Sequence, residues 1–566
     1  MTDPPAGPST GVTDEEVAEA VEAPPATAVT DEAIAPSLLR SSAVVALGTA
    51  LSRLTGFGRL FATAYAIGFE RLTDAYTQAN TAPNIVYELL LGGVLSATLV
   101  PVFVRHREEK DEDGTSAVVS VTAVLLVAIT VTGIIAAPWV VRLLTIGVPD
   151  RVAGEQREVA TDLLRLFMPQ MFFYGLTALF TALLNSRRRF AAPAFAPVLN
   201  NLVVSAMLFA LPHVAGRTPD LEQVASDPVL LWLLGAGTTA GIVVMTVVLI
   251  PQLKPAGIHL RFNLDWRNRS VRQVGRMSGW TLGYVLANQA ALLVVLILAN
   301  DTDGGVSAYT SAFIFFLLPH ALIAVSIMTT LVPELSACAG REDWGGFRTR
   351  FSMGLRLMAL VVFPAATGYV VLAHPIVTAL LEHGALDRVG ADLAGDVLLA
   401  FGFGLPGFSI YLFTLRGFYA MHDTRTPFFL NLFQNGLQVA LSFALEPVFG
   451  VPGLALAYGL AYSAAAVVAL WVLKGRVGSL DARRVGRTLG KVTAACLALA
   501  LAVLAIAGRV GGDAGAGALV RTAVGLTVGG AAYVVAVVLL RVDEVVLLKD
   551  RLLRRARPGP SPQASA

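Results

Sequence analysis

AVVSVTAVLLVAITVTGIIAAPWVVRL, residues 117–143, carries a single charge, Arg142, close to its end. A bilayer core of about 30 Å is crossed by about 20 apolar residues in an α-helix, so a run of this length and purity reads as a transmembrane helix. A barrel strand would instead show roughly 10 residues of alternating polarity. Comparable runs extend outward on both sides, near 42–68, 82–104, 158–184, 192–213, 228–251, 276–299, 307–333, 350–373, 393–420, 427–446, 451–473, 487–508 and 517–540, which makes fourteen expected spans. The chain is 55% hydrophobic and only 14% charged over 566 residues, with a mean hydropathy of +0.67. That leaves too little charge to cover a water-soluble surface.

The connections alternate in basic character. Arg105, Arg107 and Lys110 follow the second span, Arg187, Arg188 and Arg189 the fourth, and an arginine-rich stretch the sixth, whereas the odd-numbered connections hold few cations. Under the positive-inside rule both termini lie in the cytoplasm and the span number is even. Residues 1–39 are rich in Pro, Ala, Thr and acids, without Lys or Arg before Arg40, and read as a disordered acidic tail rather than a cleavable signal. Residues 542–566 read as a basic membrane-proximal tail. Cys338 and Cys496 fall in different segments and suit packing rather than a disulfide.

An internal repeat divides the spans. Thr98–Pro101 recurs as Thr330–Pro333, Pro169 and Tyr174 recur as Pro406 and Tyr411, and Pro193 with Asn201 recurs as Pro427 with Asn435, in the same order and at nearly constant spacing. The expected fold is therefore an all-α polytopic membrane protein of two six-helix lobes related by a parallel pseudo-repeat, with two C-terminal helices added. The boundaries are an N-terminal lobe over 40–251, a linker over 252–274, a C-terminal lobe over 275–474, and helices thirteen and fourteen over 475–541. Parallel repeats are a transporter architecture with the substrate site between the halves.

Charges inside spans point to that site, because a charge facing lipid is costly. Arg53 and Arg59 in the first span, with Asp74 and Asn84 close behind, suggest a polar cavity, and Glu88 is the most isolated charge, with Arg59 as its candidate partner. Arg165, Arg356 and Arg416 lie nearer span ends, where snorkelling or a structural role is expected. Asn431 and Asn435 sit four apart on one helical face, suited to holding a cation or, more commonly, to bonding between helices. Gly92, Gly93 and in-span prolines such as Pro83, Pro319 and Pro406 suit helices that bend, though small residues also serve close packing. No P-loop, Ser-His-acid arrangement or metal-ligand cluster stands out, so neither catalysis, a metal, a cofactor nor a nucleic-acid partner is expected.

These residues also carry a resemblance. SRLTGFGR (52–59), TDAY (73–76), APN (82–84), GGVLSATLVPVF (92–103) and NSRRRFAAPAFAPVLNN (185–201) are similar to segments of the MurJ (MviN) family of lipid II flippases, and the likeness runs over about residues 40–545. The resemblance implies a member of the multidrug/oligosaccharidyl-lipid/polysaccharide exporter superfamily in the bacterial cell membrane. Its cargo would be lipid II, an undecaprenyl-diphosphate-linked peptidoglycan precursor moved from the inner to the outer leaflet. Membrane lipids and cell-wall synthesis or division proteins are implied as partners.

Arg53, Arg59 and Asp74 fall where the family has its first-helix arginines and following aspartate. Tyr87 and Glu88 stand where many members have paired arginines, and Ile314 stands five residues before Pro319 where they have another. This depletion resembles the actinobacterial branch, without the kinase-like extension of some of its members. Asn431 and Asn435 offer no carboxylate where the family's sodium site has one, and coupling to the membrane potential or a cation gradient is the expectation. Two other readings stay open: an exporter of a different polyprenyl-linked glycan or drug-like cation, and a transport-inactive scaffold recruited through the tails.

Overall fold

A computed structural model describes residues 31–88, 99–272, 279–507, 509–512 and 515–545. The described residues form helices: α1 (Asp31–Ile67), α2 (Arg71–Glu88), α3 (Val100–Glu109), α4 (Glu112–Leu144), α5 (Asp150–Phe167), α6 (Pro169–Ser186), α7 (Ala191–Ala215), α8 (Leu221–Ser226) and α9 (Pro228–Val247), then α10 (Gly279–Ala299), α11 (Gly305–Pro319), α12 (Val325–Gly340), α13 (Trp344–Leu381), α14 (Arg388–Ala420), α15 (Arg425–Phe449), α16 (Val451–Val477), α17 (Ala482–Ala507) and α18 (Gly515–Leu539). Among them, eleven helical stretches are long and apolar enough to cross a membrane, so the chain is a multi-pass membrane protein.

The three other expected spans differ in kind. The first is helical within α1 but diluted by Arg53 and Arg59, and the seventh lies in α10, whose apolar part is Val285–Ala299. The second runs from α2 through residues 89–98, with Gly92 and Gly93, which lie outside the described residues, into α3. The tail expectation needs one correction. Residues 31–39 are helical and form the start of α1. Residues 1–30 and 546–566 lie outside the described residues.

Prolines shape two spans. Pro169 lacks an N–H to donate and separates α5 from α6 in the fourth span, while Pro319 leads into a π-helical turn over His320–Ala324 between α11 and α12 in the eighth.

The repeat is deeper in the structure than in the sequence motifs. Asp111 caps α4 by accepting the Gly114 N–H at 2.7 Å, and Asp343 caps α13 by accepting the Gly346 N–H at 2.8 Å. In both lobes the glycine leaves room for the capping carboxylate, since a Cβ at Gly114 or Gly346 would overlap it. The residue before each cap, Lys110 and Glu342, is left-handed with φ 55°, and so are Arg188 and His422, at φ 58°, in the later pair of equivalent turns.

Each lobe has its own core. That of the N-terminal lobe is largely aliphatic, around Leu163, Leu164, Phe167, Leu208 and Leu234 on one side and Leu179, Leu183 and Leu249 on the other. The C-terminal lobe is packed with rings: Phe316 and Phe401 lie 5.0 Å apart, Phe351 and Phe413 stack at 4.9 Å, and the tilted rings of Tyr458 and Tyr462 lie 4.5 Å apart. The added helices α17 and α18 pack on α13. They are fastened there by Tyr533, which donates to Leu360 O at 2.6 Å, and by a buried ion pair of Arg356 with Glu544 at 2.8 Å.

Candidate functional site

A chamber of about 310 Å³ opens where α1 and α2 of one lobe meet α10 and α11 of the other. Its wall is polar but nearly uncharged. Thr73, Thr77, Asn80 and Asn84 follow one another at three- and four-residue intervals and so form one stripe along α2, faced by Gln289 on α10 and by Ser307, Thr310 and Ser311 on α11. Arg59 of α1 supplies the chamber's cation and has no carboxylate partner among the described residues. Asn80 Oδ1 and Gln289 Oε1 are buried and accept no hydrogen bond from the described residues. Unsatisfied polar atoms beside a cavity are held ready for a hydrated or hydrogen-bonding guest.

The expected site residues separate. Arg59 and Asn84 line the chamber, and Asn84 accepts the Tyr174 hydroxyl at 3.4 Å. Arg53 is exposed and is not a lining residue, because six residues at about 3.6 per turn cannot place both arginines on one face. Asp74 is fully buried behind the wall, where Oδ1 accepts the Ser307 amide at 3.0 Å and its hydroxyl at 2.7 Å. It binds the opposite lobe rather than lining the cavity. The side chain of Glu88, and with it the expected pair with Arg59, lies outside the described residues.

Asn431 and Asn435 are a helix contact. Both donate to Asn288 Oδ1 on α10, at 2.9 and 2.7 Å, and Asn435 also reaches Asn431 Oδ1 at 3.1 Å. The equivalent Asn201 ties α7 to α1 through Ser52 O at 3.1 Å and Thr55 Oγ1 at 3.2 Å. No cluster of three or more metal-binding side chains occurs among the described residues. The hydroxyl and carboxamide stripe of α2 is readable from its spacing, but of its members only Asn84 is marked in the sequence, where charges rather than neutral polar groups point to the site.

At the face bearing the odd-numbered connections the lobes are latched. Arg71 pairs with Asp303 at 3.2 Å and donates to Asn300 O at 3.1 Å. The Asn300 side chain accepts from Gln78 at 2.5 Å and donates to Leu144 O and Ile146 O at 2.7 and 2.8 Å, so one amide joins α2, α4 and α10. Backbones also mesh there: Ala385 N donates to Tyr65 O at 2.9 Å, and a Cβ at Gly304 or Gly384 would overlap the carbonyl of Phe69 or Tyr65. Both glycines have positive φ, which L side chains seldom adopt.

A second, larger chamber of about 1060 Å³ lies within the C-terminal lobe toward the arginine-rich face, between α11–α12, α14 and the start of α15. Its walls are mostly apolar, and Arg416 and Arg425 stand on it.

The family described as Lipid II flippase MurJ matches residues 63–533. A protein of Burkholderia cenocepacia named Lipid II flippase MurJ is 28% identical over 433 residues, which cover 75% of this chain and 81% of that one. A solved structure titled Lipid II flippase MurJ, inward closed conformation, superposes with a TM-score of 0.74 at 19% identity, covering 88% of this chain and 99% of that one. An inward-facing multidrug resistance MATE family transporter of the MOP superfamily shares the fold at a TM-score of 0.62 and 15% identity, over 76% of this chain and 95% of that one.

Proposed function

The chain belongs to the lipid II flippase MurJ family, and from that premise we propose that it moves undecaprenyl-diphosphate-linked muropeptide from the inner to the outer leaflet for cell-wall synthesis. It works as a transporter rather than an enzyme. The observation that carries the reading is the polar chamber built jointly by α1, α2, α10 and α11 and latched at one face. A diphosphate-sugar headgroup would lose its hydration in about 30 Å of hydrocarbon. A cavity on the lobe boundary replaces that hydration. Arg59 gives the diphosphate charge-assisted bonds, while the α2 stripe and Gln289 bond the sugar and peptide amides. The isoprenoid tail stays in lipid.

Rocking of the lobes about the chamber presents the headgroup alternately to each side. The basic connections support an orientation with both termini and the arginine-rich face in the cytoplasm, which makes the latched face the outer one. On this reading the latch stands closed while cargo loads from inside. Membrane potential or a cation gradient biases the cycle, and the acidic N-terminal and basic C-terminal segments are where cell-wall synthesis or division proteins would meet the chain. A drug-like cation is the poorer cargo, because Arg59 repels it.

The test is complementation of a conditional lipid II flippase mutant, scoring outer-leaflet lipid II. Wild type restores it, Arg59→Ala at equal expression lowers the rate about tenfold or more, and Arg53→Ala has a smaller effect. Failure of a well-inserted wild type to restore outer-leaflet lipid II would overturn the reading.

A further inference from the structure

We propose that the larger chamber in the C-terminal lobe binds an isoprenoid diphosphate, and that it is where the carrier end of the cargo docks before its headgroup enters the polar chamber. The inference rests on the flippase reading only for the second clause.

The chamber's composition selects the ligand class. Met328, Leu415, Phe428 and Phe429 give it apolar walls, and 1060 Å³ exceeds what a free inorganic anion needs. Arg416 and Arg425 add two exposed guanidiniums at its rim, which a pure hydrocarbon would not engage. Arg416 sits on α14 facing no carboxylate among the described residues, and Arg425, in the first turn of α15, lies over the Phe429 ring at 5.8 Å to the centroid. Two guanidiniums on an apolar chamber fit an amphiphile with a compact, strongly anionic end. Guanidinium forks match phosphate oxygens, and the walls shelter a prenyl chain from water.

The polar chamber argues for the same division of labour. It holds one arginine against many neutral hydrogen-bonding groups, a lining better suited to sugars and amides than to a diphosphate alone. Phe429 is 54% exposed and Val325 39% exposed, so the larger chamber is open at its edge between α12 and α15. A chain can leave there while its phosphates stay on the two guanidiniums at the rim. The edge lies toward the arginine-rich face, the side from which the cargo comes.

The full-length protein in phosphatidylcholine nanodiscs is titrated with geranylgeranyl diphosphate, with geranylgeraniol and inorganic pyrophosphate as single-feature controls. Wild type should bind the diphosphate well above either control. Arg416→Leu with Arg425→Leu should weaken it about tenfold or more, and Arg416→Lys with Arg425→Lys should restore only the part that charge alone supplies. Should the leucine pair fail to fold, the single Arg416→Gln and Arg425→Gln variants read the same loss. Unchanged affinity in the neutral variants overturns the site, and so does equal competition by phosphatidylglycerol, which would make it an ordinary anionic-lipid contact. Arginine-dependent binding by a protein that does not move lipid II keeps the site and removes the flippase reading. Lipid II transport with arginine-independent binding does the reverse.

Discussion

The two faces of this molecule use polar contacts in opposite ways. At the arginine-poor face three of them cross between lobes: Arg71 to Asp303, Asp74 to Ser307, Gln78 to Asn300. At the arginine-rich face they stay within one lobe and its attachments. Arg107 reaches Ser186 O at 2.7 Å, His106 bonds Ser270 of the linker at 2.7 Å, Arg350 pairs with Glu334 at 2.9 Å, and Arg356 pairs with Glu544. The polar contacts that close the molecule therefore gather at one face, while those named at the other hold each half rigid. A two-state carrier needs this inequality, since contacts that must break in the cycle have to be distinct from those that preserve the lobes.

The comparison is tested hardest at Arg356. Its partner Glu544 is also buried, so Arg356→Leu strands a carboxylate and should cost about 3–5 kcal/mol, while Arg356→Leu with Glu544→Leu should recover most of it. Thermal unfolding of the purified protein reads both, and the lobe separation at the opposite face should not move. If that separation changes, the arginine-rich face also governs closure, and the comparison fails.

Asp74→Ala probes the other face. It leaves the buried Ser307 amide and hydroxyl without their acceptor, which removes about 1–3 kcal/mol from the closed state. Spin labels at Glu222 and Val389, one on each lobe, should gain a longer-distance population that wild type lacks. An unaltered distance distribution would mean that the meshed backbones alone hold this face.

The smallest effect sharpens the likeness of the lobes. Asp111→Ala and Asp343→Ala each remove one helix cap, at about 0.5–2 kcal/mol. Similar losses of thermal stability would show that the two caps do the same work. A large disparity would confine the repeat to backbone geometry.

Much of this was legible in the chain. Apolar length and loop charge gave the spans, and paired prolines and asparagines gave the two lobes, because both signals are local and periodic. Asn201 and Asn435 proved equivalent in function as well as position, each bonding its helix to the first helix of its own lobe. Two site features were not legible. The partner of Arg356 is Glu544, far along the chain beyond both added helices, and no spacing rule links them. The role of Asp74 was hidden for the same reason: its contact lies in the other lobe, so sequence showed a buried charge without showing that it closes a gate rather than lines a cavity.

Gly304 and Gly384 draw one further consequence. The closed face is sealed by carbonyls seated against positions that carry no side chain, so it is specified by emptiness. Charge there can be traded between neighbours and still find a partner, but bulk cannot. A single methyl group introduced by Gly304→Ala is a wedge, strained in its own backbone and driven into the carbonyl of Phe69, and it props the lobes apart at that edge. The same property makes the position a handle: a chain wedged there would be trapped in the conformation that the latch otherwise hides.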